Sequence, residues 1–347
     1  MKNAKARAIM AANHGLITRT QALDAGLSPL DIRHLLHAGI LVVVRRGVYA
    51  DAEIWNALDE HVGRPRLQTR AALATMRRAW VVSHDSAAHE HGLEVLRPPD
   101  PHVHITRPGT TGAWTKFGVK HHLARFRDEQ VVEASELRVL DLARTAVDIA
   151  REHGTPYGEV ACDSAMRMGV TRAALEEAVA PMTYWPYSRA ARAAVDFADP
   201  RAESLLETLA RILVKALSVG DVDLQFPVEV DDGRVIWGDI RVGRHIFEAH
   251  GKIKYLPPSL GGVAHRAAAE VVWDEKKRER KLHRQGLGTS SILFEDYWNP
   301  RRNEVLARMR AEYDDTVARF GTELPEHLVR NARELRSRFG VRRLRGA

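Results

Sequence analysis

Cysteine is almost missing from this 347-residue sequence, in which Cys162 stands alone. One thiol closes no internal disulfide and supplies no cysteine cluster for zinc, which excludes a disulfide-stapled scaffold. Long apolar runs are missing as well. Nothing approaches the roughly eighteen consecutive apolar residues of a membrane span, so no membrane partner is expected. Residues 1–15 are basic and amphipathic but lack the apolar core and small-residue cleavage site of a secretory signal, and the expected location is the cytoplasm. Acids are outnumbered, 45 Asp and Glu against 52 Lys and Arg, and the net charge of +7 favours a polyanionic partner through phosphate neutralisation and counterion release. With 45% hydrophobic and 28% charged residues the chain is globular and not disordered, and its length exceeds one ordinary core.

What is present begins with dense helix punctuation. Ala4 to Asn13 reads as a helix ended by Gly15. Thr18 followed by Gln21 has capping-box spacing and starts a second helix that Gly26 ends. Ser28-Pro29-Leu30-Asp31 places a capping serine, a first-turn proline and a first-turn acid at the head of a third helix, with Ile32, Leu35 and Leu36 inward and a stop near Gly39. Ile40 to Ala50 is β-branched and aromatic, broken by Arg45-Arg46-Gly47, which predicts a hairpin. Three short helices and a two-stranded wing make the winged form of helix-turn-helix. In that fold Arg33, His34 and His37 face the major groove and Arg45 and Arg46 sit at the wing tip, against double-stranded DNA.

The middle of the chain alternates strand-like and helix-like segments: strands at Pro101–Thr106 and Gly118–Leu123, helices at Asp141–Glu152 and Thr171–Ala180. His84, His102, His104, His121 and His122 raise the question of a metal, but alternate positions on strands and adjacent pairs have no tetrahedral zinc spacing. Ser83-His84-Asp85-Ser86 looks like a catalytic triad compressed into one run. Triad members meet through the fold and not through adjacency, so helix capping by Ser83 or Ser86 is the expectation.

Beyond residue 200, an amphipathic helix over Glu203–Leu213 places Glu203 and Glu207 one turn apart. Strand-like runs follow at Leu224–Val230, Arg234–Arg241 and Arg244–Ala249, then a charged helix near Ala267–Gln285, a strand at Thr289–Phe294, and basic helices from Asn303 onward. A Val242-Gly243 turn would set Arg241 against Arg244 and Asp239 against Ile246, leaving Asp239 and Glu248 as diagonal neighbours on one face. Two such carboxylates suit a hard cation, Mg²⁺ or Mn²⁺, and Glu203 or Glu207 could complete the ligand set. Alternation brings His250, Lys252 and Lys254 to the same face. Acid, acid and lysine are what metal-assisted phosphodiester hydrolysis requires, while Lys276, Lys277, Arg278, Arg280 and Lys281 could hold the phosphate backbone.

Two resemblances attach to these residues. Leu16 to Leu23 and Arg45-Arg46-Gly47-Val48-Tyr49 resemble the winged-helix domain of abortive-infection type IV antitoxins. The glutamate-bearing helix, Gln225-Phe226-Pro227-Val228, Trp237 to Glu248, Gly251 to Tyr255 and Trp273 to Arg280 are similar to the Vsr-like endonuclease-related domain of actinobacterial proteins, within the PD-(D/E)XK superfamily. The fold implied is a multidomain α+β and α/β chain. It has a winged helix-turn-helix at 1–62, a mixed α/β middle domain at 63–198, a restriction-endonuclease-like domain with a central mixed sheet flanked by helices at 199–300, and a basic helical tail at 301–347. The superfamily expects Glu-x-Lys where this chain has Glu248-Ala249-His250-Gly251. Either Lys252 or Lys254 supplies the charge, or His250 is the general base, or the site is inactive. The resemblance therefore implies a metal-dependent DNA endonuclease acting against foreign DNA. The alternative is a non-catalytic antitoxin and autorepressor with a cognate toxin as partner.

Overall fold

The computed structural model describes residues 3–76, 81–110, 112–251 and 268–339. The chain divides into two compact units, Met1–Asp196 and Phe197–Ala347. The described residues form a mixed α/β chain with three sheets.

The first unit opens with α1 (Ala4–Ala12), β1 (Leu16–Thr18), α2 (Arg19–Asp24), α3 (Pro29–His37), β2 (Leu41–Arg45) and β3 (Val48–Asp51). The expected capping box forms on α2, Thr18 with Gln21, and the expected cap Ser28 on α3 closes into a second box with Asp31. Each satisfies two of the amide donors that a helix start otherwise leaves open. Gly47, at φ 79°, closes the two-residue turn between β2 and β3, where a side chain would be strained. The sheet order β1-β3-β2 adds a third strand to the expected hairpin. Ile17, Ile32, Leu41 and Tyr49 pack the three helices onto that sheet.

The unit continues through α4 (Ala52–Ala57), α5 (Gly63–Leu73), β4 (Val81–Val82), α6 (His84–His91), β5 (Val103–Arg107), β6 (Gly112–Lys116), β7 (Val119–Leu123), β8 (Val131–Ala134), β9 (Leu137–Leu140), α7 (Leu142–His153), α8 (Tyr157–Arg167), α9 (Arg172–Val179) and α10 (Ser188–Phe197). Its six-stranded sheet runs β6-β7-β5-β4-β9-β8, with β5 parallel to β7 and β4 parallel to β9. Ser83 stands at the N-cap position of α6, but its hydroxyl makes no cap hydrogen bond; it accepts from Thr106 instead. Ser86 Oγ accepts from the His104 amide and caps nothing.

The second unit comprises α11 (Leu205–Leu217), β10 (Asp223–Glu229), β11 (Val235–Val242), β12 (His245–His250), α12 (Ala268–Arg284), β13 (Gly288–Leu293), α13 (Arg301–Phe320) and α14 (Glu326–Phe339). Its sheet runs β10-β11-β12-β13, antiparallel until β13 joins parallel to β12. Strand β12 is central and almost wholly buried, and it carries the polar His245 and Glu248 into the interior beside Ile246 and Phe247.

Two local expectations need correction. The helix starts at Leu205 after the cap Ser204, so Glu203 precedes it and does not share a helical face with Glu207. The hairpin turn is Gly243-Arg244, because Val242 pairs with His245 and Arg241 with Ile246. Gly243 lies at φ 55°, the positive value that the first central residue of a two-residue hairpin loop takes. The shift is of two residues, so the facing side is preserved.

Candidate functional site

On α3, Arg33, His34 and His37 are all exposed, while Ile32 is buried beneath them. Arg33 has no ion-pair partner among the described residues. The double capping fixes where this helix begins, and one charged face is left to solvent. Arg46 is exposed in the wing turn. Arg45 is not at the tip in the same sense: it is half-buried, its Nη2 lies 3.4 Å from the Phe117 carbonyl oxygen, and burial lowers its pKa from the ordinary arginine value. A residue shift between Val43 and Arg45 on β2 marks where the strand irregularity turns it aside.

In the second unit the β11–β12 pairing ends at Ile240 with Phe247, and Asp239 and Glu248 are the next residues on the two strands. Their carboxylates nonetheless go to different partners. Asp239 Oδ2 accepts from the Ala249 amide at 2.8 Å, standing in for a ladder acceptor where the β11–β12 pairing ends. Glu248 is held by Arg278 of α12, whose Nη2 lies 2.9 and 3.1 Å from its two oxygens and also reaches the Trp237 carbonyl. His250 Nδ1 lies 3.1 Å from Glu275 Oε1.

Glu207 belongs to the Asp239 side. Its Oε2 accepts from the Glu203 amide at 2.8 Å and from Gln225 Nε2 at 3.0 Å, and its Oε1 accepts from the Ser204 hydroxyl at 3.1 Å. Burial first, and the neighbouring Asp239 charge second, push its pKa up to about 7. Gln225 is a residue that sequence reasoning missed. It sits at φ 51° within β10, a backbone excursion with no signal in the local pattern. Lys252 and Lys254 lie outside the described residues. Lys276, Lys277 and Arg280 are exposed on α12, with Lys277 and Arg280 over the face of the half-exposed Trp273.

A shared divalent cation needs several oxygens drawn to within its coordination sphere. Among the described residues, no three of Glu203, Glu207, Asp239, Glu248 and His250 bring ligand atoms within 4.8 Å of one another. With Glu248 occupied by a guanidinium, this arrangement does not fit the Mg²⁺ or Mn²⁺ that the nuclease resemblance implies.

Residues 7–50 match the family model of a transcriptional regulator, AbiEi antitoxin. That stretch is the winged helix from α1 to β3. Two curated proteins of Mycobacterium tuberculosis are similar to this chain: "Uncharacterized protein MT2308" of strain CDC 1551 / Oshkosh and "Uncharacterized protein Rv2248" of strain ATCC 25618 / H37Rv. Each is 30% identical over 160 residues, which is 44% of this chain and 54% of the relative. The chain thus spans about half the length of these relatives. No described helix is long and apolar enough to cross a membrane.

The largest departure from the sequence reading lies in the middle of the first unit, where side chains far apart in the chain converge. His84 and Asp85 of α6, His104 of β5, His122 of β7 and His153 of α7 form one cluster. His84 stacks on His122 with ring centroids 3.9 Å apart, and His104 Nδ1 lies 3.0 Å from His122 Nε2. Burial is the main cause that lowers the pKa of His104 to about 4 and that of His122 to about 2, so both rings are neutral. Asp85 and His153 carried no sequence signal for this, because the link runs across 68 residues.

Proposed function

We propose that this protein is a DNA-binding transcriptional regulator of the antitoxin kind, whose second unit is a nuclease-like module that contacts nucleic acid without hydrolysing it. One observation carries the reading: a doubly capped α3 that presents Arg33, His34 and His37 to solvent, inside the stretch that matches the antitoxin regulator family. An exposed recognition helix enters the major groove, and exposed arginine in a wing neutralises phosphate. The Lys276, Lys277 and Arg280 face of α12 supports a second backbone contact. By the same family description, a cognate toxin is the proposed protein partner.

A fluorescence-anisotropy titration with the duplex upstream of the protein's own gene, against a random duplex of equal length, tests the reading. Preference for the upstream duplex is expected, with Arg33→Ala weakening binding by about 1–3 kcal/mol if the guanidinium reads a base. Equal affinity for both duplexes would sink it.

A second reading, metal-dependent DNA cleavage, is supported by Asp239 and Glu248 lying on neighbouring strands just past the end of the β11–β12 pairing. It requires Glu248 to exchange Arg278 for the ion. Plasmid nicking by the full chain with Mg²⁺ or Mn²⁺, lost in Asp239→Asn and in Glu248→Gln, would establish this reading in place of the first.

A further inference from the structure

We propose that Asp85, His104 and His153 form a binding site for one transition-metal dication of the zinc class, with a fourth coordination position open to an adjoining cavity. The three ligand atoms come from three elements, α6, β5 and the end of α7, and all lie within 4.8 Å of one another. Asp85 Oδ2 is 2.7 Å from His153 Nε2 and 3.5 Å from His104 Nε2. Ligand bonds of about 2.0–2.1 Å to a tetrahedral ion separate neighbouring donors by about 3.3 Å. The two measured separations straddle that value, and the third pair, His104 with His153, lies within 4.8 Å.

Hydrogen bonding alone accounts for the cluster poorly. Asp85 is buried, and its Oδ1 has no hydrogen-bond partner among the described residues. The His104–Asp85 separation is too long for a good hydrogen bond. A buried carboxylate with an unused oxygen is costly, and a bound cation removes that cost. His122 completes the arrangement as a positioning residue. When His104 Nδ1–H donates to His122 Nε2, the His104 Nε2 lone pair is left facing Asp85, which is the tautomer a metal requires. His153 Nε2 gives up the proton it shares with Asp85, to its own Nδ1 or to solvent, as the ion takes its place.

Nitrogen, nitrogen and oxygen donors select this metal class over Mg²⁺ or Ca²⁺, which take oxygen. The single carboxylate halves the charge brought into the interior. Asp85 also lines a cavity of about 220 Å³, together with Ser86, His89 and His102. Of the three ligands Asp85 alone lines this cavity, so it is on the Asp85 side that a water or an exogenous donor would complete the fourth position. Sites with three protein ligands and an open position are those where a metal meets something from outside.

The test uses the untagged full chain, stripped with EDTA, with Asp239→Asn plus Glu248→Gln as a parallel control that must leave the binding unchanged. Calorimetric titration with Zn²⁺ should show one equivalent bound. Affinity should fall about 100-fold or more in Asp85→Asn, His104→Gln and His153→Gln, and stay unchanged in His121→Gln. Absence of a stoichiometric equivalent, or ligand variants that bind as the parent does, overturns the site. Should those variants fail to fold by circular dichroism, Co²⁺ added to the parent chain decides. Intense visible bands saturating at one equivalent support a four- or five-coordinate nitrogen-rich site, and a weak hexaaqua spectrum throughout overturns it.

Discussion

Single side chains decide where α3 begins and what the wing turn presents to solvent. Ser28 accepts the Asp31 amide at 3.1 Å while Asp31 returns a contact to the Ser28 amide at 2.8 Å. Ser28→Ala should lower stability by about 1 kcal/mol in urea unfolding, the usual worth of a polar N-cap, and no change in midpoint would show that α3 does not depend on its cap. Arg46 has no packing role, being exposed in the wing turn. Arg46→Ala should leave stability unaltered and reduce the slope of log affinity against log salt by about 1, as expected for a phosphate contact; an unchanged slope removes it from the interface. These residues were legible in the sequence because caps and turns act over three or four positions. Arg45 was not fully legible. Its neighbours along the chain point it to the wing tip, but the Phe117 carbonyl draws it aside from 72 residues away.

At the scale of elements, the β11–β12 hairpin governs what the acids of the second unit can do. The strands were legible as strand-like runs either side of short turn signals. The turn was misplaced by one residue. Val242-Gly243 and Gly243-Arg244 both contain the glycine, and only the folded backbone settles which central position has positive φ. Gly243→Ala should destabilise the chain by about 1–3 kcal/mol, since a Cβ there meets the Thr322 carbonyl at 2.8 Å on a left-handed backbone. Thermal unfolding indistinguishable from the parent would contradict that account. Helix α12 was equally legible as a charged helix, yet Arg278 turned out to be the group that meets Glu248. Its sequence environment, a run of basic residues, did not distinguish it from the exposed Lys276, Lys277 and Arg280.

At the scale of the whole chain, burial sets how the second unit responds to acid. His245 is buried between Thr316 Oγ1 and Ser290 Oγ, each 2.7 Å away, and desolvation lowers its pKa from 6.5 to about 4. The unfolded chain therefore binds more protons than the folded one between these values. Stability is retained above pH 6.5 and lost as pH falls from 6.5 towards 4, by roughly 3 kcal/mol at most. His245→Gln should flatten this acid limb in chemical unfolding followed against pH. Identical limbs in parent and variant would mean that His245 is not the group responsible.

The sequence by itself determined the local grammar: the starts of α2 and α3, the wing hairpin, strands β5 and β7, and helices α7 and α9, but not β6 or α8 between them. These follow from spacing within a few residues, where backbone geometry and hydrophobic period leave few choices. Only the tertiary structure decided which charged groups meet. It added β1 to the wing sheet, gave Glu248 to Arg278, and gathered His84, Asp85, His104, His122 and His153 from four elements into one interior cluster. Partners chosen across dozens of residues depend on how sheets and helices pack, and packing is a property of the whole core rather than of any segment within it.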